Sequence, residues 1–287
     1  MRALQIVAEK TIAVQTRPDP QPASDEVIVQ MKAAAICGSD LHPFRHPRPQ
    51  DFDVIPVHEP CGLIAEVGKD VKGWSVGDRV VVYFRRTCGE CHYCRTGHRN
   101  VCVNRRGSYG VGANGSDCDY MAVESRSIMR LPDDFDFVDG AVIACQAGTA
   151  YYPLTRLQPN GRDYLIVSGL GPVGLLATTF ATAMGTHVIG IDPSAERRRF
   201  AQELGARETL DPTAAPIADQ VKAITPLGAD KLIETSGANA AHAVIGHLLK
   251  PNSTAAIVGL GSQNFVMPLM SLVHRQVTLF GTSIYPD

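Results

Sequence analysis

Four cysteines fall close together, as Cys88-x2-Cys91-x2-Cys94-x7-Cys102. Thiolates at that spacing suit a closed tetrahedral site, and zinc is its usual ion. Such a site has no open position for a substrate, so its expected role is structural. It would fix a lobe at about residues 85–106 that has little core of its own. An iron–sulfur cluster also uses Cys-x2-Cys spacing and is the alternative. Six arginines between Arg85 and Arg106, against Glu90 alone, are expected to offset the thiolate charge.

A second chemical signal is Gly169-Leu-Gly171-Pro172-Val173-Gly174, which fits G-x-G-x-x-G between an apolar strand and an apolar helix. The first glycine makes the tight turn, the second admits a pyrophosphate and the third lets helix pack on strand. The pyrophosphate would lie on the helix N-terminus near Pro172 and Val173, where proline loses nothing by lacking an N–H. Asp192 ends the next apolar strand about 20 residues on, where a carboxylate can accept from an adenosine ribose. A carboxylate there repels a 2′-phosphate, which favours NAD over NADP, although Arg197 and Arg198 stand nearby. A helix cap is the competing role for Asp192, with Ser194 as the other candidate.

These motifs need two kinds of scaffold. Up to about residue 150 the chain has short β-branched runs such as Val27–Val29 and Val80–Tyr83, cut by Gly-Asp and Gly-Lys turns. That texture predicts an irregular, mostly β domain. After Asn160, apolar runs at Tyr164–Val167, Val188–Ile191, Lys231–Ile233, Ala255–Val258 and Val277–Phe280 alternate with helical stretches such as Ala195–Leu204 and Ala240–Leu249. Alternation of that kind predicts an α/β domain with a parallel sheet covered on both faces.

The 287 residues carry 20% charged side chains and a net charge of -2. That excludes a nucleic-acid binder working by bulk positive charge, a disordered tail and a small disulfide scaffold. The apolar stretch Tyr164–Met184 is broken by its glycines and Pro172, so no membrane span is expected. The start, MRALQIVAEKT, is broken by Glu9 and Lys10 and does not read as an export signal. Reduced thiols and a cytoplasmic location follow as expectations.

Three groups are left: Cys37-Gly-Ser39-Asp40-Leu-His42, His58-Glu59 and Cys145-Gln-Ala-Gly-Thr149. No short spacing rule joins them. The order His58-Glu59-x2-Gly62-x5-Gly68-x2-Val71, Gly77-Asp78-Arg79-Val80, the four-cysteine lobe, Cys145 to Thr149 and the Gly169–Gly174 turn resembles the zinc-dependent alcohol dehydrogenases of the medium-chain dehydrogenase family. One departure is Val57, where that family's zinc signature has glycine.

The resemblance implies a GroES-like zinc-binding catalytic domain over 1–152 and a Rossmann NAD-binding domain over 153–287. It implies two zinc ions per chain and a catalytic one held by Cys37, His58 and Cys145, with water or substrate in the fourth position. Glu59 would sit behind the metal and could exchange as a ligand. Asp40 would orient the histidine, and Ser39 and His42 would relay the alcohol proton toward solvent. Thr149, Gly259 and Leu260 resemble cofactor-contacting positions, while Cys61 and Cys118 are left to packing. A free alcohol has a pKa near that of water, about 15.7, and zinc lowers that of a bound water to about 7.

The implied reaction moves a hydride from an alcohol to NAD, giving an aldehyde or ketone in a homodimer or homotetramer paired through an edge strand at Val277–Phe280. Polyol and L-threonine 3-dehydrogenases fit the same motifs as an alternative. The family's C-terminal return to the catalytic domain is expected to be missing after Tyr285-Pro-Asp287, which keeps a truncated NAD- and zinc-binding protein without turnover in view.

Overall fold

In the first half of the chain the β-branched runs become antiparallel strands. The structure, a computed structural model, describes every residue except Ser262, Gln263, Asn264, Val266, Pro268 and Asp287. Contacts divide the chain into Met1–Gln146 with Pro286, and Ala147–Tyr285. Asp287, the expected end of the second domain, lies outside the described residues.

The first unit opens with a hairpin of β1 (Arg2–Ala8) and β2 (Thr11–Thr16). The strands β3 (Glu26–Ala35), β4 (Glu59–Val67), β5 (Arg79–Val82), β8 (Tyr120–Glu124) and β9 (Ile128–Arg130) form a five-stranded antiparallel sheet. Their order is β8-β3-β4-β5-β9, and β6 (Ser108–Tyr109) and β7 (Gly112–Ala113) make a separate small pair. Alternate side chains of a strand face opposite ways. Val80 and Val82 accordingly join Val27, Val29, Ile64, Met121 and Val123 in one core, while Val81 joins Cys61 on the other face. There Leu131, Ala141 and Ala144 cover them.

Short helices carry the connections: α1 (Leu41–Arg45), α2 (His92–Arg95) and α3 (Phe137–Val142). The start of α3 is fixed reciprocally. Asp136 accepts from the Asp139 N–H, and the Asp139 carboxylate accepts from the Asp136 N–H. Its end widens into a π turn, Ile143–Ala147. Such turns insert an extra residue and recur at functional sites.

The second unit holds α4 (Gly148–Leu157), β10 (Tyr164–Ser168), α5 (Pro172–Ala183), β11 (His187–Ile191), α6 (Ala195–Glu203), β12 (Glu208–Leu210), α7 (Ile217–Ile224), β13 (Ala229–Glu234), α8 (Asn239–Leu248), β14 (Leu249–Ile257), α9 (Leu269–Arg275) and β15 (Thr278–Gly281). All six strands are parallel, in the order β12-β11-β10-β13-β14-β15. This is the doubly wound order 3-2-1-4-5-6, with its reversal between β10 and β13. Leu165, Val167 and Val188 pack toward α4, α5 and α6, and Ile166, Ile189 and Leu232 toward α7 and α8. Burial on both faces explains why these strands read as unbroken apolar runs.

Two local readings change. The expected boundary at 152/153 falls inside α4, because Ala150, Leu154 and Leu157 of that helix belong to the core of the second unit. Strand β12 is absent from the apolar runs: at the sheet edge, three residues with little burial suffice.

Cys61 and Cys118 pack as expected. Burial pushes both thiols up to about 12. Helix α3 comes so close to β4 that a Cβ on Gly140 would lie 2.2 Å from Cys61 Sγ. Gly140→Ala is expected to cost about 1–3 kcal/mol by overpacking. Thermal unfolding should show much of that loss recovered in Gly140→Ala/Cys61→Ala, which removes the clashing sulfur.

Candidate functional site

Antiparallel pairing of β3 and β4 sets Ala35 opposite Glu59, so the segments just outside the two strands lie side by side. That register brings Cys37, after β3, to His58, before β4. The π turn after α3 adds Cys145. One ligand atom each from Cys37, His58, Glu59 and Cys145 lies within 4.8 Å of all the others.

Asp40 fixes two of these groups at once. Its Oδ2 accepts from the Cys37 N–H at 2.8 Å, and its Oδ1 lies 2.7 Å from His58 Nδ1 with both side chains buried. A ring nitrogen so engaged sets the tautomer and leaves Nε2 for the cluster. Phe84 closes the other side, edge-on to the His58 ring at 4.7 Å between centroids.

The electrostatics are those of a cation site. A hydrogen bond from Cys145 holds the Cys37 thiol down to about 3 against burial, with help from His58 and Ser39. Burial works against charge on His58, yet Asp40 and Cys37 hold its pKa up to about 10. Burial, then the Cys37 charge, pushes the Glu59 carboxyl up to about 8. Two thiols and an imidazole arranged to share a proton between them are equally the donor set for a divalent ion, which displaces that proton on binding.

In the lobe, Cys88 Sγ lies 3.9 Å from Cys94 Sγ and 3.5 Å from Cys102 Sγ, and Cys91 Sγ lies 3.9 Å from Cys102 Sγ. A tetrahedral ion with bonds of about 2.3 Å to sulfur needs edges of roughly 3.8 Å. A disulfide needs about 2.05 Å. All eight cysteines are free, and a multi-iron cluster would spread the sulfurs wider than one ion does. The N–H groups of Glu90 and Cys91 point to Cys88 Sγ and hold that thiol below its ordinary range.

Four of the six arginines have partners other than the thiolates. Arg86 and Arg106 pair with buried Glu124, and Arg85 donates to the Asn100 carbonyl. Arg99 stacks on Tyr83. The contacts to Glu124 and Tyr83 reach residues outside the lobe.

Val57 explains the family's glycine. Its φ is +70°, a left-handed conformation that costs a β-branched residue about 1–3 kcal/mol. Contacts on the following carbonyl hold it: Ser116 donates to Val57 O from both N and Oγ, at 2.9 and 3.2 Å. A Cβ on Gly115 or Gly110 would come within 2.0 or 2.5 Å of that oxygen. Gly115→Ala must therefore displace the Val57–His58 peptide. The expected result is a loss of about 2 kcal/mol or more, with metal lost from the His58 cluster and retained by the four cysteines, read by metal analysis and calorimetry.

In the second unit the dinucleotide turn follows β10 at the switch point. Gly169 has φ +91°, and a Cβ on Gly174 would meet Gly169 O at 1.9 Å. At Gly171 a Cβ would meet nothing within 4 Å, which leaves an open cradle before α5, and no side chain caps that helix. Asp192 is buried, with Oδ2 accepting from the Leu170 N–H and Oδ1 from the Ser194 N–H, both at 2.8 Å. The cap on α6 is Ser194, not Asp192. Arg197 lies 3.7 Å from the Asp192 carboxylate, and Arg198 is engaged by Asp211 and the Asp192 carbonyl.

Gly259 closes on Gly237 and donates to the Glu234 carbonyl, while Leu260 is exposed and Thr149 sits in the first turn of α4. Ser39 and His42 are exposed beside Asp40. Arg48, in the loop after α1, is held by Asp51.

Sequence reasoning missed Gln146, Phe84 and Glu234. Gln146 donates to Glu59 Oε2 at 2.7 Å. Glu234 gathers Ser236, the Gly237 N–H and His242 beneath the cofactor turn. The signal available for Gln146 was its place beside Cys145; for the others there was none.

Residues 23–133 match the alcohol dehydrogenase GroES-like domain, and residues 172–286 the zinc-binding dehydrogenase domain. The chain is 33% identical to the uncharacterized zinc-type alcohol dehydrogenase-like protein YphC of Escherichia coli, over 98% of this chain and 83% of that protein. Other relatives are named alcohol dehydrogenase, sorbitol dehydrogenase and L-threonine 3-dehydrogenase. Among solved structures, a protein described as a zinc-binding dehydrogenase of Sinorhizobium meliloti, bound to NADP, superposes with a TM-score of 0.91 at 27% identity. That match covers 99% of this chain and 84% of that one. The E. coli alcohol dehydrogenase RspB, complexed with NADH, gives 0.92 at 25% identity, over 99% and 84%. A chain that matches both domains in order and over nearly its whole length belongs to the zinc-type alcohol dehydrogenases of the medium-chain dehydrogenase family.

Proposed function

We propose that this chain is an NAD-dependent zinc alcohol dehydrogenase that moves a hydride from an alcohol to NAD and releases an aldehyde or ketone. The observation that carries the reading is the donor group of Cys37, His58, Glu59 and Cys145, with His58 oriented by Asp40. Cys37, His58 and Cys145 would hold a catalytic zinc, and Cys88, Cys91, Cys94 and Cys102 a structural one. Zinc bound at the first site supplies a Lewis acid for the alcohol oxygen, as NAD supplies the hydride acceptor.

The remaining work falls to side chains. Asp40 keeps a proton on His58 Nδ1 so that Nε2 stays a donor to metal. Ser39 Oγ takes the alcohol proton and passes it on, with the His42 imidazole at the solvent end. Asp192 supports NAD over NADP: its carboxylate is already set by two N–H groups, and its charge opposes a 2′-phosphate. Gly169, Gly171, Pro172, Val173 and Gly174 would carry the pyrophosphate, with Arg197, Thr149, Gly259 and Leu260 as further contacts. Among the described residues no helix is long and apolar enough to cross a membrane. A cytoplasmic homodimer or homotetramer joined near β15, acting on a small-molecule alcohol and on neither nucleic acid nor membrane, completes the reading.

A polyol or L-threonine substrate is the second reading, favoured by the relatives named sorbitol and L-threonine 3-dehydrogenase. Reduction of NAD should be followed with primary alcohols, secondary alcohols, polyols and threonine. Turnover with one class identifies the substrate, and faster turnover with NAD than NADP is expected. Full binding of NADH without turnover on any of them would mark a binding protein. Metal analysis should find zinc at both sites, with Cys37→Ser losing one ion of the two; a single ion in the intact protein sinks the catalytic assignment.

A further inference from the structure

Glu59 is completely buried, and its two carboxylate oxygens are treated differently. Oε2 accepts from Gln146 Nε2 at 2.7 Å, across 87 positions of sequence. Oε1 is buried and has no hydrogen-bond partner. An unsatisfied buried carboxylate oxygen is costly, and a nearby cation is what would relieve it. A Glu59 oxygen lies within 4.8 Å of the donor atoms of Cys37, His58 and Cys145.

Gln146 owes its position to the π turn. It directly follows Cys145, and both side chains are buried there. An amide has a property that other residues of its size lack. Leucine or methionine would fill the space without donating. Lysine would donate, but its charge would cancel that of Glu59 and repel a divalent ion. The amide fixes one oxygen and adds no charge of its own.

We infer that Gln146 is a positioning residue: by anchoring Glu59 Oε2 it holds Oε1 ready as an additional donor to the ion bound by Cys37, His58 and Cys145. This inference rests on the metal site proposed above. It adds the residue that governs how tightly Glu59 takes part. Outer partners of metal ligands typically change metal affinity about 10- to 100-fold when removed.

The test uses the full-length protein loaded with Co²⁺, with the spectrum of Cys37→Ser subtracted to remove the four-cysteine site. Thiolate-to-cobalt absorption reports whether Cys37 and Cys145 ligate. The weaker d–d bands report the coordination number, and transfer to a chelator reports metal release. Gln146→Ala is expected to keep the thiolate band, alter the d–d bands and speed release by about 10- to 100-fold. Gln146→Met, close to glutamine in volume, should do the same and guards against collapse around alanine. In a Glu59→Gln background neither substitution should speed release further. Unchanged release in both Gln146 variants overturns the inference, as does equal acceleration with and without Glu59. Absence of the thiolate band in the unmodified protein is a separate outcome: it overturns the metal site itself, and the inference with it.

Discussion

The carboxylate of Asp40 is where the first unit's chemistry is decided. It joins the N–H of Cys37 to the ring of His58, residues that lie just beyond the adjacent ends of one antiparallel pair, β3 and β4. The His58 end of that bridge is buried together with Asp40, and the Cys37 end is half-buried. Removing the carboxylate would free the ring to change tautomer and free the backbone at Cys37 to relax. Two of the donors would then lose their common reference. Hydrogen bonds to charged groups contribute about 1.5–3 kcal/mol each, more than most single contacts in the fold.

Around this bridge the backbone is under tension at one point. The sequence departs from its family by placing a valine where a left-handed residue is needed, immediately before the histidine. The conformation survives because the surroundings over-determine it. Ser116 holds the carbonyl, and Gly110 and Gly115 leave room for it. The burden of being glycine is thus met by neighbours in space. A stiff residue before a metal donor also limits the histidine's backbone freedom, consistent with a site whose geometry is set in advance.

Several of these features were legible from residues alone. Four cysteines at short spacing announce a tetrahedral site because the ion's geometry is local. G-x-G-x-x-G is readable because each glycine answers a steric demand within a few residues, and Asp192 because strand length fixes its distance. The open site is different. Cys37, His58 and Cys145 meet through strand register and a π turn, neither of which has a spacing signature, so resemblance alone could join them. Gln146 and Glu234 act on partners brought close by the fold, and generic polar residues carry no mark of that. The arginines of the lobe are another case: their sum suggests charge balance, while the partners of four of the six are a distant glutamate, carbonyls and a tyrosine ring.

The lobe itself has almost nothing apolar inside. Tyr93, Val101 and Val103 are exposed, and none of the core clusters among the described residues includes it. With so little packing, order there would be linked by mass action to the free concentration of an ion held by the four cysteines. Each tenfold fall in free metal removes about 1.4 kcal/mol while the site stays loaded. With zinc at the four cysteines, as proposed, the lobe would respond to metal supply, and a cell short of zinc would hold the same polypeptide with a frayed flank.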